Sequence, residues 1–161
     1  MDTSILHRYL PSNEQAELIR QLVNSDLCII WKNNTSTNWL DIVGWSSDTN
    51  PDENYIDNIK LALKPSLLKY FEAKGKPLFL SDVSSPGVSE IYMYQTEAIE
   101  RGWKSLITTP LIYQRKIIGL IDSYWYRIIE KTEAAEIQKS LHSLSRLAVK
   151  GINTSFDTKP L

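Results

Sequence analysis

Arg101-Gly102-Trp103-Lys104-Ser105-Leu106-Ile107-Thr108-Thr109-Pro110-Leu111-Ile112-Tyr113, then Gln114-Arg115-Lys116, then Ile117-Ile118-Gly119-Leu120-Ile121-Asp122-Ser123-Tyr124-Trp125-Tyr126, is the stretch that decides the fold. Two apolar, β-branched and aromatic runs flank a three-residue polar turn, which predicts a hairpin of long strands. Thr132 is placed to cap a long helix directly after it. Along that helix Ala134, Ile137, Leu141, Leu144, Ala148 and Gly151 recur at alternating steps of three and four. Such spacing matches a coiled-coil seam better than a broad core-facing stripe.

Upstream, Ser12 and Gln15 are placed as a capping box for a first helix, on which Leu18, Ile19, Leu22 and Val23 share one face. Leu27 to Trp31 reads as a buried strand, Asn33 to Thr37 as a turn and Trp39 to Trp45 as a second strand. Residues 46–54 are the most loop-like part of the chain, and Tyr55 to Leu63 suggests a helical turn or two. Pro65 and Ser66 open a helix that Gly75 and Pro77 stop. Leu78 to Leu80 is a brief strand, and Thr96 to Arg101 a short helix ending at Gly102. This order predicts an α+β domain with a mostly antiparallel sheet.

Composition narrows the function classes. The 161 residues carry a formal net charge of -1, so no global positive field draws in nucleic acid or an anionic membrane. Asp122 interrupts the longest apolar run, well short of a membrane span. The start, Met1-Asp2-Thr3-Ser4, lacks the basic-then-apolar order of a secretory signal, and a cytoplasmic location is expected by default. Cys28 is the sole cysteine, which excludes an internal disulfide and a cysteine-based zinc cluster. His7 and His142 cannot build a metal site by themselves, so no metal is expected. No nucleophile–base pair or phosphate loop is visible, and no enzymatic activity is expected.

Three segments resemble the GAF domain, a small-molecule sensing module related to the PAS fold. Ala73-Lys74-Gly75-Lys76-Pro77-Leu78-Phe79-Leu80-Ser81-Asp82-Val83 looks like that family's helix end, Gly-x-Pro turn, third strand and following Asp. Gly102-Trp103-Lys104-Ser105 with Pro110-Leu111 looks like the approach to its fourth strand, and Ile118-Gly119-Leu120-Ile121 like its fifth. The resemblance implies a GAF-like, mostly antiparallel five-stranded sheet with helices on both faces. It divides the chain into a leader over residues 1–11, a domain over 12–155 and a tail over 156–161.

It further implies two faces with separate tasks. One, covered by the first and last helices, is where such domains dimerise. Leu18, Leu22, Ile137, Leu141, Leu144 and Ala148 are the interface residues expected on this chain. The other is roofed by the middle segments and encloses an unidentified small molecule. Trp31, Trp45, Tyr92, Tyr94 and Trp103 could wall that pocket, because aromatic rings bury flat ligands and orient them through polar tips. Filling the core is the plainer role for each of them. Asp82 could accept from a ligand N–H or simply fix its own loop. Asp122 and Ser123 interrupt an apolar strand and each needs a partner if buried; Ser123 joins the expected ligand set.

Bilin-carrying relatives attach their chromophore through a cysteine in the roof with a histidine nearby, and residues 81–103 contain neither. The Asn-Lys-x-Phe-Asp-Glu signature of cyclic-nucleotide-binding relatives is absent. One enzymatic branch reduces free methionine sulfoxide with several cysteines, a pattern from which a lone Cys28 departs. The expected function is therefore a non-catalytic sensory domain of a signalling protein such as a two-component system. A structural homodimerisation module without a ligand is the alternative.

Overall fold

The computed structural model describes residues 12–48, 60–92 and 95–157, and the expected leader lies outside them. The chain begins with α1 (Ser12–Val23), β1 (Leu27–Asn33) and β2 (Trp39–Ser47), followed by β3 (Lys60–Ala62) and α2 (Pro65–Lys74). Then come β4 (Leu78–Leu80), a 3-10 turn over Val88–Glu90, α3 (Gln95–Arg101), β5 (Ser105–Tyr113), β6 (Lys116–Trp125) and α4 (Lys131–Asp157). The strands form one sheet in the order β3-β2-β1-β6-β5-β4, with every pair antiparallel.

The described sheet has six strands rather than five. The added one is β3, whose Lys60–Ala62 pairs with Trp39–Asp41 where a helical turn was expected. Period-two spacing explains the difference: Leu61 packs against one core cluster and Leu63, two residues on, is buried in it, while Ala62 points out. The rest of that expected helical stretch, residues 55–59, lies outside the described residues.

Two separate cores sandwich the sheet. On one face Leu27, Ile29, Trp31, Leu106, Leu120 and Tyr124 meet Leu67 and Phe71 of α2 and Val83, Val88, Tyr92, Ala98 and Trp103 of the roof segment. On the other, Cys28, Ile30, Ile107, Leu111, Ile121 and Trp125 meet Ala16, Ile19 and Val23 of α1 and Ala134, Leu141 and Leu144 of α4. The expected two-faced plan is therefore what the strands build. Asn13 Oδ1 accepts the Trp45 backbone N–H at 2.9 Å, tying the start of α1 to β2. The Ser105 hydroxyl donates to Ser81 O and accepts from Ile129 N–H, fastening β5 to the end of β4 and to the approach to α4. Thr132 lies inside the first turn of α4 rather than before it.

Gly75 ends α2 in a left-handed conformation, φ 61°, with its N–H on Phe71 O, a conformation that costs a side-chain-bearing residue. The β5–β6 turn is tighter than the three residues expected. Lys116 already pairs with Tyr113, leaving Gln114 and Arg115 as the two central residues, at φ 49° and 65°. That is the pattern of a turn whose twist suits a hairpin, built without the glycine or asparagine that usually relieves it. Arg115→Gly should therefore raise stability by about 1 kcal/mol, read as a higher denaturant midpoint at unchanged slope. A lowered midpoint would show that the Arg115 side chain contributes more than its backbone costs.

Candidate functional site

Asp122 sits in the middle of β6, opposite Ile29 of β1 and Thr108 of β5. Even-numbered neighbours Leu120 and Tyr124 share its face, so its carboxyl points under the roof and is 3% exposed. Trp31 Nε1–H donates to Oδ2 at 2.9 Å, the Tyr124 hydroxyl donates to the same oxygen over a long 3.4 Å, and the Tyr92 hydroxyl donates to Tyr124 at 3.1 Å. Trp103 lies over Tyr124 with ring centroids 4.5 Å apart and planes tilted by 36°. Three aromatic residues singled out in the sequence, Trp31, Tyr92 and Trp103, thus converge on one polar chain.

That chain is incomplete. Oδ1 of Asp122 and Oγ1 of Thr108 are both buried without a hydrogen-bond partner. The Thr108 hydroxyl is near enough to ease ionisation of the carboxyl. No hydrogen bond of ordinary length and angle joins the two side chains. Thr108 and Asp122 line a small cavity of about 10 Å³ together with Leu67, Leu80, Ile91, Tyr92 and Leu120. Such a volume is the space one water molecule needs. Burial drives the Asp122 pKa up to about 6, against the opposing pull of Thr108, Trp31 and Tyr124.

Several expected site residues fall elsewhere. Ser123 is on the opposite face, fully buried toward the helices between Ile121 and Trp125, because strand parity sends alternate residues to opposite sides. Asp82 serves its own loop: its Oδ1 accepts from Ser84 N–H at 2.9 Å and from the Ser84 hydroxyl at 2.6 Å, which holds its pKa down. Trp45 is half-buried at the margin of the roof-side core. Tyr94 lies outside the described residues.

The expected dimer seam is corrected in part. Leu141 and Leu144 are buried in the domain's own helix-side core, since α4 lays that stripe on the sheet. Leu18, Leu22 and Ile137 are half-buried around its rim, and Ala148 lies on α4 where side chains are not described. Asp122, Thr108 and Tyr124 complete the candidate site, and of these the sequence singles out Asp122 alone.

Two larger grooves, of about 240 and 330 Å³, run along α4 and share His142. They are open to solvent, and the buried Ser145 hydroxyl in one of them is satisfied by His142 O. The small cavity under the roof is the better candidate because Asp122 Oδ1 and Thr108 Oγ1, on two of its lining residues, lack a hydrogen-bond partner. Among the described residues no group of three or more side chains could hold a metal ion, and no helix is long and apolar enough to cross a membrane.

No family model and no curated protein sequence matches this chain. Solved structures do. A chromophore-binding domain of a bacteriophytochrome from R. palustris superposes with a TM-score of 0.71 at 8% identity, over 94% of this chain and 59% of that one. A GAF domain/HD domain protein from Geobacter sulfurreducens gives 0.65 at 17% identity, covering 91% and 93%. The fold is GAF-like. A free methionine-R-sulfoxide reductase from Neisseria meningitidis, solved with its substrate, shares it at a TM-score of 0.60 and 13% identity, over 89% and 78% of the two chains. At these identities the likeness carries the fold alone, and this chain spans under two thirds of the phytochrome domain.

The carboxyl at the heart of this GAF-like fold gives a pH test. A raised folded-state pKa means protonation favours the folded chain. The contribution is fully present below the unfolded value of 3.8 and is lost as pH rises through about 6. A shift of that size corresponds to roughly 3 kcal/mol. Asp122→Asn keeps an acceptor for Trp31 and removes the charge. Its melting temperature should match wild type near pH 4 and exceed it increasingly up to pH 7. A constant difference across that range would rule out Asp122 as the titrating group.

Proposed function

We propose that this domain is a non-catalytic sensor. It binds a small molecule beneath the roof of residues 83–103 and relays occupancy through α1 and α4 to a signalling protein, such as a two-component system, whose output domain lies outside this sequence. The carrying observation is the pair of unpartnered atoms, Asp122 Oδ1 and Thr108 Oγ1, enclosed among aromatic side chains on the face away from the terminal helices. A buried acceptor left open costs a kcal/mol or more unless something fills it. The proposed setting is cytoplasmic, and the proposed assembly is a homodimer gripping through the helix-side rim of Leu18, Leu22 and Ile137.

Non-catalysis is supported by Cys28. It is fully buried on the helix-facing side of β1, across the sheet from the cavity. Desolvation, with a smaller push from the Asp122 charge, drives its thiol pKa far up, so the nucleophilic thiolate is suppressed. With no second cysteine in the sequence, an oxidised Cys28 has no resolving thiol within the chain.

One observation favours the alternative of a ligand-free dimerisation module. Trp31, Tyr92, Trp103 and Tyr124 are buried on the roof side, and the cavity beside them that described residues line measures only about 10 Å³. Thermal melting against nucleotides, bilins, haem, small acids and small amines separates the two. A sensor should gain roughly 5–10 °C from a ligand at a hundred times its Kd. Silence across the panel, together with a dimer by light scattering at twice the 18.5 kDa chain mass, would leave the structural module standing. A strict monomer at high concentration would remove the dimer from both readings.

A further inference from the structure

We propose that Asp122 and Thr108 form the floor of a recognition site for an ammonium group, either free ammonium or the head of a small primary amine. The inference rests on the sensor reading above and specifies its ligand chemistry. Both open atoms are oxygens, one on a carboxylate and one on a hydroxyl, and both can accept. A guest able to satisfy the two together must donate at least to the carboxylate, while the hydroxyl can accept from it or donate to it, and an ammonium head supplies donors for both. A carboxylate or phosphate would instead meet the Asp122 charge head-on, in a cavity too dry to screen it.

Positive charge is what the cavity lacks. Its described lining holds no lysine, arginine or histidine, only Leu67, Leu80, Ile91, Tyr92, Thr108, Leu120 and Asp122. The Trp31 indole and the Tyr124 phenol bind Oδ2 and are neutral. Tyr92 adds an aromatic wall, a surface to which a cation is drawn. A divalent metal fits poorly, because it would seek six or more oxygens and finds one carboxylate and one hydroxyl. The volume of about 10 Å³ matches a guest with the girth of water, which an ammonium nitrogen has. Free ammonium would enter with the roof in place. A primary amine would seat its head there and displace Ile91 and Tyr92, which close the cavity from above.

The titratable groups facing Asp122 are the phenols of Tyr92 and Tyr124, with Cys28 feeling its charge from the other side of β1. Burial pushes the Cys28 thiol up, so the Asp122 carboxyl is the group that brings charge to the site near neutral pH. Binding should strengthen roughly tenfold between pH 5 and pH 7.5, as the carboxyl ionises.

The test is thermal melting and calorimetric titration of the full chain with ammonium, methylammonium and ethylammonium chlorides, against sodium and potassium chlorides at equal ionic strength. Expected is a rise in melting temperature with the nitrogen cations, stronger at pH 7.5 than at pH 5. The rise should be abolished in Asp122→Asn, which should fold at least as well as wild type, and weakened in Thr108→Val. A response to ammonium alone identifies the free ion, and one growing with the alkyl group identifies an organic amine. Equal stabilisation by sodium or potassium would overturn the proposal, as would a high-resolution structure in which a single water joins Oδ1 to Oγ1 and survives saturating methylammonium. If amines are silent while another compound of the panel stabilises the chain, the ammonium site fails and the sensor survives. Complete silence removes both.

Discussion

A strand buried on both sides must divide its side chains between two interiors, and β6 does so one residue at a time. Ile121, Ser123 and Trp125 enter the helix-side core, while Leu120, Asp122 and Tyr124 enter the roof side. The pairing with β1, Ile29 to Asp122 and Trp31 to Leu120, sets Trp31 diagonally across from the carboxyl, within reach of its indole N–H. A slip of one residue would move the carboxyl into the layer of Ile19, Ala134 and Leu141 and bring Ser123 under the roof. The polar chain, the small cavity and the separation of Cys28 from both follow from this single parity.

Much of this was legible in the chain. The hairpin around Gln114, the Gly75-Lys76-Pro77 corner and the helix break at Gly102, which adopts φ 79°, all stand where turn and capping chemistry put them. Parity was not legible, because apolar residues occupy both faces of β6 and no polar side marks the outside. Asp122 and Ser123 could therefore be exchanged without violating any local pattern. The α4 stripe misled for a related reason: steps of three and four serve a sheet-facing helix as well as a coiled coil, and only the sheet beneath Leu141 and Leu144 decides between them. In β3, three residues are too few for a period to declare itself.

Polar bonds join the roof to the body. The Ser66 hydroxyl donates to Glu90 O, Tyr92 to Tyr124, and Val83 N–H to Lys104 O. The two bonds from Gln95 Nε2, to Val83 O and Ser85 O, hold the roof to itself. Apolar contacts of Val88, Tyr92, Ala98 and Trp103 add to these bonds, so any lifting of the segment would have to break both. Tight aromatic packing and ligand entry are then compatible, provided the guest binds the lifted arrangement better than the closed one.

The two faces are also linked around the edge of the sheet. Leu67 of α2 lines the cavity, α2 runs to its Gly75 cap, and two residues later Pro77 O accepts a hydrogen bond from Gln138 Nε2 of α4 at 3.0 Å. The end of α2 is thus tied to α4 by a short corner around the edge of the sheet. The sheet itself is held by ladder bonds across all six strands and cannot shift one face without the other. The corner, by contrast, depends on one side-chain hydrogen bond and one left-handed residue.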